Sequence, residues 1–207
     1  NATDFNNSGS NSINNWDVSN VTRMDWMFVN AYDFDQNIGS WDVSNVTDMY
    51  SMFNSAREFN NGGSNSMNNW DVSNVTNMGY MFSYTAFNQD IGNWDVSSVT
   101  SMVRMFSGTV PFNHDIGGWD VSSVTHLSFM FTNNEAFNQD IGSWDTSSVT
   151  HMNGMFNKNV LFNQDIGGWN TSNVILMDQM FEEATAFNQD LSEWCVSNFP
   201  VEPTGFS

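Results

Sequence analysis

The sequence predicts an α/β repeat solenoid, a stack of about eight coils with one short parallel strand and one short helical arc in each. Three observations lead there. Eight of the nine tryptophans, Trp16, Trp41, Trp70, Trp94, Trp119, Trp144, Trp169 and Trp194, stand 25, 29, 24, 25, 25, 25 and 25 residues apart. Around each of them the text recurs as FNQDIGxWDVSxVTxMxxMF, at its fullest from Phe87 to Phe106 and from Phe137 to Phe156. Length changes fall outside the stretch from Trp to Met-Phe: four extra residues lie within Asn60 to Ser66, and one fewer between Phe82 and Phe87. Self-similarity at a fixed period of this size marks units that bury their apolar faces against one another.

Each unit is then read in order. Ile-Gly-x-Trp-Asp-Val is short, rich in β-branched and aromatic residues and bounded by Asn, Asp and Ser, which predicts the strand. In Ser44, Val46, Met49, Met52 and Phe53 the apolar residues fall at i, i+3, i+6 and i+7 behind a serine. That spacing predicts a short helix or 3₁₀ arc opened by a serine cap. The recurring columns predict a core of ladders. One runs through Met24, Met49, Met78, Met102, Leu127, Met152 and Met177, another through Phe28, Phe53, Phe82, Phe106, Phe131, Phe156 and Phe181. Eight parallel coils about 4.8 Å apart give a rod about 40 Å long. The Asn/Gly/Ser insertions before Trp16 and Trp70 are expected to project as loops. Residues 1–199 are expected to form one domain and 200–207 a tail or the start of a linker, since Pro200 and Pro203 break the pattern.

A net charge of −19, from 23 Asp and Glu against 4 Lys and Arg, repels phosphate backbones and anionic bilayers. Nucleic acid is thereby set aside as a partner. No run approaches the roughly 18 apolar residues of a membrane span, so no direct membrane insertion is expected in this segment. A single cysteine, Cys195, excludes an internal disulfide framework. The start at Asn1, already inside a repeat, reads as a piece of a larger exported protein, extracellular or at the cell surface.

Units of the type FNQDIGSWDVSNVTDM followed by Met-Phe resemble the repeats of BspA-like leucine-rich-repeat surface proteins, from Phe5 to Asn198. The resemblance implies a leucine-rich-repeat-like, right-handed stack. It also implies exposure at a cell surface and adhesion to protein or carbohydrate ligands without catalysis. Asn170 and Cys195, in the place of the Asp after Trp, depart from the pattern.

Two columns of acids are the main chemical feature: Asp42, Asp71, Asp95, Asp120 and Asp145 after Trp, and Asp90, Asp115, Asp140 and Asp165 before Ile. Rows of like charge a few ångströms apart need hydrogen bonds or cations to compensate them. The acids either close turns by accepting backbone N–H groups, or hold calcium between adjacent coils. No cofactor is required, and calcium is the possible one. Glycosidase chemistry needs one unique acid and one unique base, whereas here every unit carries the same acids, so the chain is read as no enzyme. His126 and His151 share a column with Arg23, Asp48, Asn77 and Ser101, which reads as a variable, solvent-facing position. The column ten residues after Trp holds Trp26, Tyr80, Arg104 and Phe129, residue types that anchor interfaces. These four are the candidate ligand-binding residues, with lateral packing between neighbouring arcs as the competing reading.

The function expected is therefore adhesion or recognition of an extracellular protein or glycan. The alternatives are a self-associating subunit of a surface layer or filament and, more remotely, ice or mineral binding by the regular Ser/Thr face. The NVT sequons at Asn20, Asn45 and Asn74 belong to the repeat text itself and carry no separate expectation.

Overall fold

A computed structural model describes residues 4–197 and 203–206. Successive units lie side by side in register. The same columns meet from unit to unit, so a residue's neighbours are its counterparts about 25 positions away. Parallel bridges run Arg23 to Asp48, Asp48 to Asn77, Asn77 to Ser101, Ser101 to His126, His126 to His151 and His151 to Leu176.

The arc is not helical. An α-helix turns every N–H back along its own axis. Here alternate N–H groups point sideways to the next unit: Met49 to the Asn77 carbonyl at 3.0 Å, Ser51 to Gly79 at 2.8 Å, Phe53 to Met81 at 3.0 Å. The N–H groups between them close local turns, Met52 onto Met49 and Asn54 onto Ser51. Such turns need a left-handed residue at the third position, and it is supplied by Trp26, Ser51, Tyr80, Arg104, Phe129, Gly154 and Gln179, all at φ between 55° and 62°. The left-handed state costs a non-glycine residue about 1 kcal/mol or more, offset here by a hydrogen bond to the next unit. The i, i+3, i+6, i+7 spacing fits this chain of turns as well as it fits a helix, which is why periodicity suggests the wrong element.

The expected strand also differs. Among the described residues Ile-Gly-x-Trp-Asp-Val forms no ladder, because its N–H groups are spent locally. Gly92 donates to Asp90 Oδ1 at 2.9 Å, Trp94 to the Ile91 carbonyl at 3.1 Å and Ser97 to Asp95 Oδ1 at 3.0 Å. Pairing occurs instead at the threonine column. Thr76 donates its N–H to the Thr47 carbonyl at 2.9 Å and its hydroxyl to the same oxygen at 3.1 Å, and Thr47, Thr100, Thr125 and Thr150 repeat the pattern.

The core is built from these registers. Within a unit two phenylalanines stack face to face, Phe53 on Phe59 at 3.8 Å and Phe106 on Phe112 at 4.0 Å, and each meets its counterpart in the next unit. The inter-unit spacing is 5.7 Å for Phe53 to Phe82 and 5.8 Å for Phe106 to Phe131. Tryptophan rings stack at 6.3 Å, as in Trp144 on Trp169. Each of Trp41, Trp94, Trp119, Trp144, Trp169 and Trp194 donates its indole N–H to the Ile or Met carbonyl at the end of the preceding unit's turn. Trp70, which follows the insertion, is buried with no partner for its indole N–H.

The insertions fold back onto the stack and do not project. Asn61–Gly63 and Asn65–Asn69 form 3₁₀ turns, matching Asn7–Gly9 and Asn11–Asn15 before Trp16. Asn61 is buried and accepts the Ile38 N–H at 2.8 Å, while Gly62, Gly63 and Asn65 are exposed. At the other end Thr204 and Phe206 take the place of a further unit, accepting the N–H groups of Gln179 and Phe181 at 2.7 and 3.2 Å. The expected pattern break at Phe199-Pro200 and the end of the expected domain at 199 lie outside the described residues.

Candidate recognition surface

The four residues expected to bind ligand fall on one line, together with a fifth that spacing does not single out. The Trp26 ring meets Tyr50 at 5.2 Å, Tyr50 meets Tyr80 at 5.5 Å, and the Arg104 guanidinium lies 5.9 Å from the Tyr80 ring and 4.2 Å over Phe129. The line thus crosses five consecutive units. Trp26 is 52 % exposed, while Tyr50, Tyr80, Arg104 and Phe129 are half-buried. Tyr50 escapes a reading by columns because it sits one position earlier in its unit, nine residues after Trp41. It reaches the line because Ser51, which holds the expected position, is buried.

Local chemistry sets this arrangement. A left-handed residue turns its side chain away from the inward Met that follows, so the large side chains of the column reach the surface of the arc while the short Ser51 stays covered. Each aromatic then leans over its neighbour, and glycine provides the seat. A Cβ on Gly154 would fall within the Phe129 ring, and one on Gly79 would approach Tyr50 Cδ2 at 3.0 Å. Tyr84, 51 % exposed, lies over Gly108 in the same way. It borders a shallow groove of about 580 Å³ formed with Ser55, Arg57, Thr85, Ala86, Val110 and Pro111.

The cations sharpen the picture. Among the chain's four, Arg23 pairs with Asp25 and Asp48 at 2.9 and 3.0 Å, and Lys158 with Glu183 at 3.5 Å. Arg57 and Arg104 form no ion pair among the described residues and sit on rings instead, Arg57 at 4.6 Å over Tyr32. In a protein of net charge −19 two arginines are thus held beside aromatic faces, free of carboxylates.

The acid columns act as turn locks. Asp42 Oδ1 accepts the Ser44 hydroxyl at 2.6 Å and its N–H at 3.1 Å, and Asp71 and Asp95 do the same with Ser73 and Ser97. Asp120 and Asp145 accept the N–H of Ser122 and Ser147. The serine is therefore a donor to the acid and caps no helix. Its hydroxyl first, and its N–H second, hold the carboxyls of Asp17, Asp42, Asp95 and Asp145 below the usual carboxylate value. In the second column Asp90, Asp115, Asp140 and Asp165 accept the N–H of the glycine two residues on. Among the described residues no three His, Cys, Asp or Glu side chains converge as a metal cage would require. Both columns thus bring their acids to separate turns in separate units.

His126 and His151 stack, with ring centroids 4.4 Å apart. His114 Nε2 lies 3.0 Å from the Asn88 carbonyl in a different column. No helix among the described residues is long and apolar enough to cross a membrane.

No curated protein and no solved structure matches the chain. One family does, three times in tandem, over residues 1–66, 62–143 and 111–202, so nearly every unit described above falls inside a match. The chain is a repeat protein, and it belongs to DUF285, a family described as Mycoplasma protein of unknown function.

Proposed function

We propose that this chain is a non-enzymatic recognition module, a leucine-rich-repeat-like solenoid of the BspA-like kind. On this reading it is displayed outside the cell as part of a larger exported protein and adheres to a protein or glycan. One observation carries the proposal: the half-exposed line Trp26, Tyr50, Tyr80, Arg104 and Phe129. Aromatic residues and arginine supply most of the strong contacts at interfaces. The faces of such rings also suit the C–H face of a sugar, and an unpaired guanidinium suits a carboxylate or carbonyl partner. On this reading no cofactor is required, since one oxygen of each acid is engaged by its own turn.

The test is capture from an array of glycans and extracellular proteins. Binding that weakens at least tenfold in Trp26→Ser or Tyr80→Ser supports the reading. Binding unchanged in both would place recognition elsewhere on the molecule.

A further inference from the structure

His126 and His151 hold the one chemically distinctive arrangement that the recognition surface does not use. They occupy the same column in adjacent units, bridged in parallel, with rings 4.4 Å apart and inclined by only 15°. Each Nδ1 lies 2.8 Å from the hydroxyl of the preceding threonine, Thr125 or Thr150.

The threonine ladder decides which nitrogen carries the proton. A hydroxyl has one hydrogen to donate. Thr125 directs it to the Thr100 carbonyl at 3.1 Å, and Thr150 to the Thr125 carbonyl at 3.1 Å. Thr76 and Thr100, which have no histidine after them, do the same, so this direction belongs to the ladder. Where the hydroxyls keep this ladder direction, the threonine oxygens are left as acceptors toward the rings and both Nδ1 atoms are the donors. Both Nε2 atoms then carry a lone pair. With equal Nδ1 contacts and near-parallel rings they point the same way, and no hydrogen bond occupies either among the described residues. Fixing the tautomer through the distal ring nitrogen is how proteins prepare an imidazole for metal.

We propose that His126 and His151 form a two-imidazole site for a divalent transition-metal ion such as Cu²⁺ or Zn²⁺, with water in the remaining positions. Imidazole nitrogens suit these ions. The lone pairs lie in the ring planes, so at metal–nitrogen distances of about 2.0–2.1 Å the two rings must tilt out of their parallel stack until the lone pairs converge on one point, as well as bring their tips closer by about 1 Å. Both side chains are partly exposed and have room to do so. The overall charge of −19 adds a field that concentrates cations.

The experiment is calorimetric titration of the 207-residue chain with Cu²⁺ in excess calcium, which occupies stray carboxylates, combined with electron paramagnetic resonance. The expected result is one saturable Cu²⁺ per chain with a two-nitrogen signature. It should be lost in His126→Asn and in His151→Ser, and retained in His114→Gln. The substitutions copy Asn77 and Ser101 from the same column, so the fold is kept, and an unchanged melting curve verifies it. Thr150→Val, for which Ile175 in the same column is the natural precedent, should weaken binding with both rings still present by freeing the His151 tautomer. Absence of saturable binding, or binding indifferent to both histidine substitutions, overturns the proposal.

Discussion

At the scale of the residue, the recurring aspartates each lock a turn of their own unit. Asp95 locks its turn through Ser97, and Asn170 shows that the amide works as well, since its Oδ1 accepts the Ser172 N–H at 3.0 Å. Asp95→Asn, which keeps the acceptor and loses the charge, is therefore expected to lower the melting temperature less than Asp95→Ala does. Equal falls in both would mean that charge, not acceptance, holds the turn. The pH dependence follows from the direction of the shift. The folded carboxyls of Asp42, Asp95 and Asp145 sit below their unfolded value, so their contribution is complete above about pH 4 and is lost as pH falls through the lower folded values. Removing calcium with a chelator is expected to leave melting unchanged, because one oxygen of each carboxylate is already engaged by its own turn.

At the scale of the element, glycine placement is dictated by the neighbouring unit. A Cβ on Gly167 would lie 2.6 Å from the Asp190 carbonyl, whereas one on Gly168 would meet nothing within 4 Å. Gly167→Ala should cost about 1–3 kcal/mol, the usual penalty for forcing atoms into a filled space, and Gly168→Ala should be neutral; thermal unfolding of the two chains decides. The same dependence on neighbours explains what the sequence could and could not reveal. The period, the Trp, Met and Phe ladders and the site of the insertion are legible because each is a repeated column. The turn structure of the arc is not, since left-handed positions are filled by Trp, Ser, Tyr, Arg, Phe and Gln, none of which advertises positive φ as a run of glycines would. Tyr50 is hidden for a related reason: it reaches the recognition line from the adjacent column because Gly79 leaves a seat for it. The inward fold of the insertion is hidden because burial of Asn61 depends on a bond to Ile38, more than twenty residues away.

At the scale of the molecule, the hydrogen bonds between units among the described residues join neighbours, so stability should be close to a sum of unit and interface contributions. Excision of residues 120–144, which joins Trp119 to Asp145 in register, is expected to leave a cooperatively folding chain with a lower melting temperature. Excision of about half a unit should instead abolish cooperative unfolding, because it displaces every ladder at once. Circular dichroism melts distinguish the two. The recognition line has the same extended character, and its parts lie on separate units, so it can be altered without opening the Phe and Trp core. The most direct test of that claim compares melting with capture of an array ligand in the Tyr80→Ser, Arg104→Ser and double-substituted chains. The account predicts loss of capture with a stability change below about 1.5 kcal/mol, the range of an exposed ring contact. A fall in stability of several kcal/mol, or capture that survives both substitutions, would contradict it.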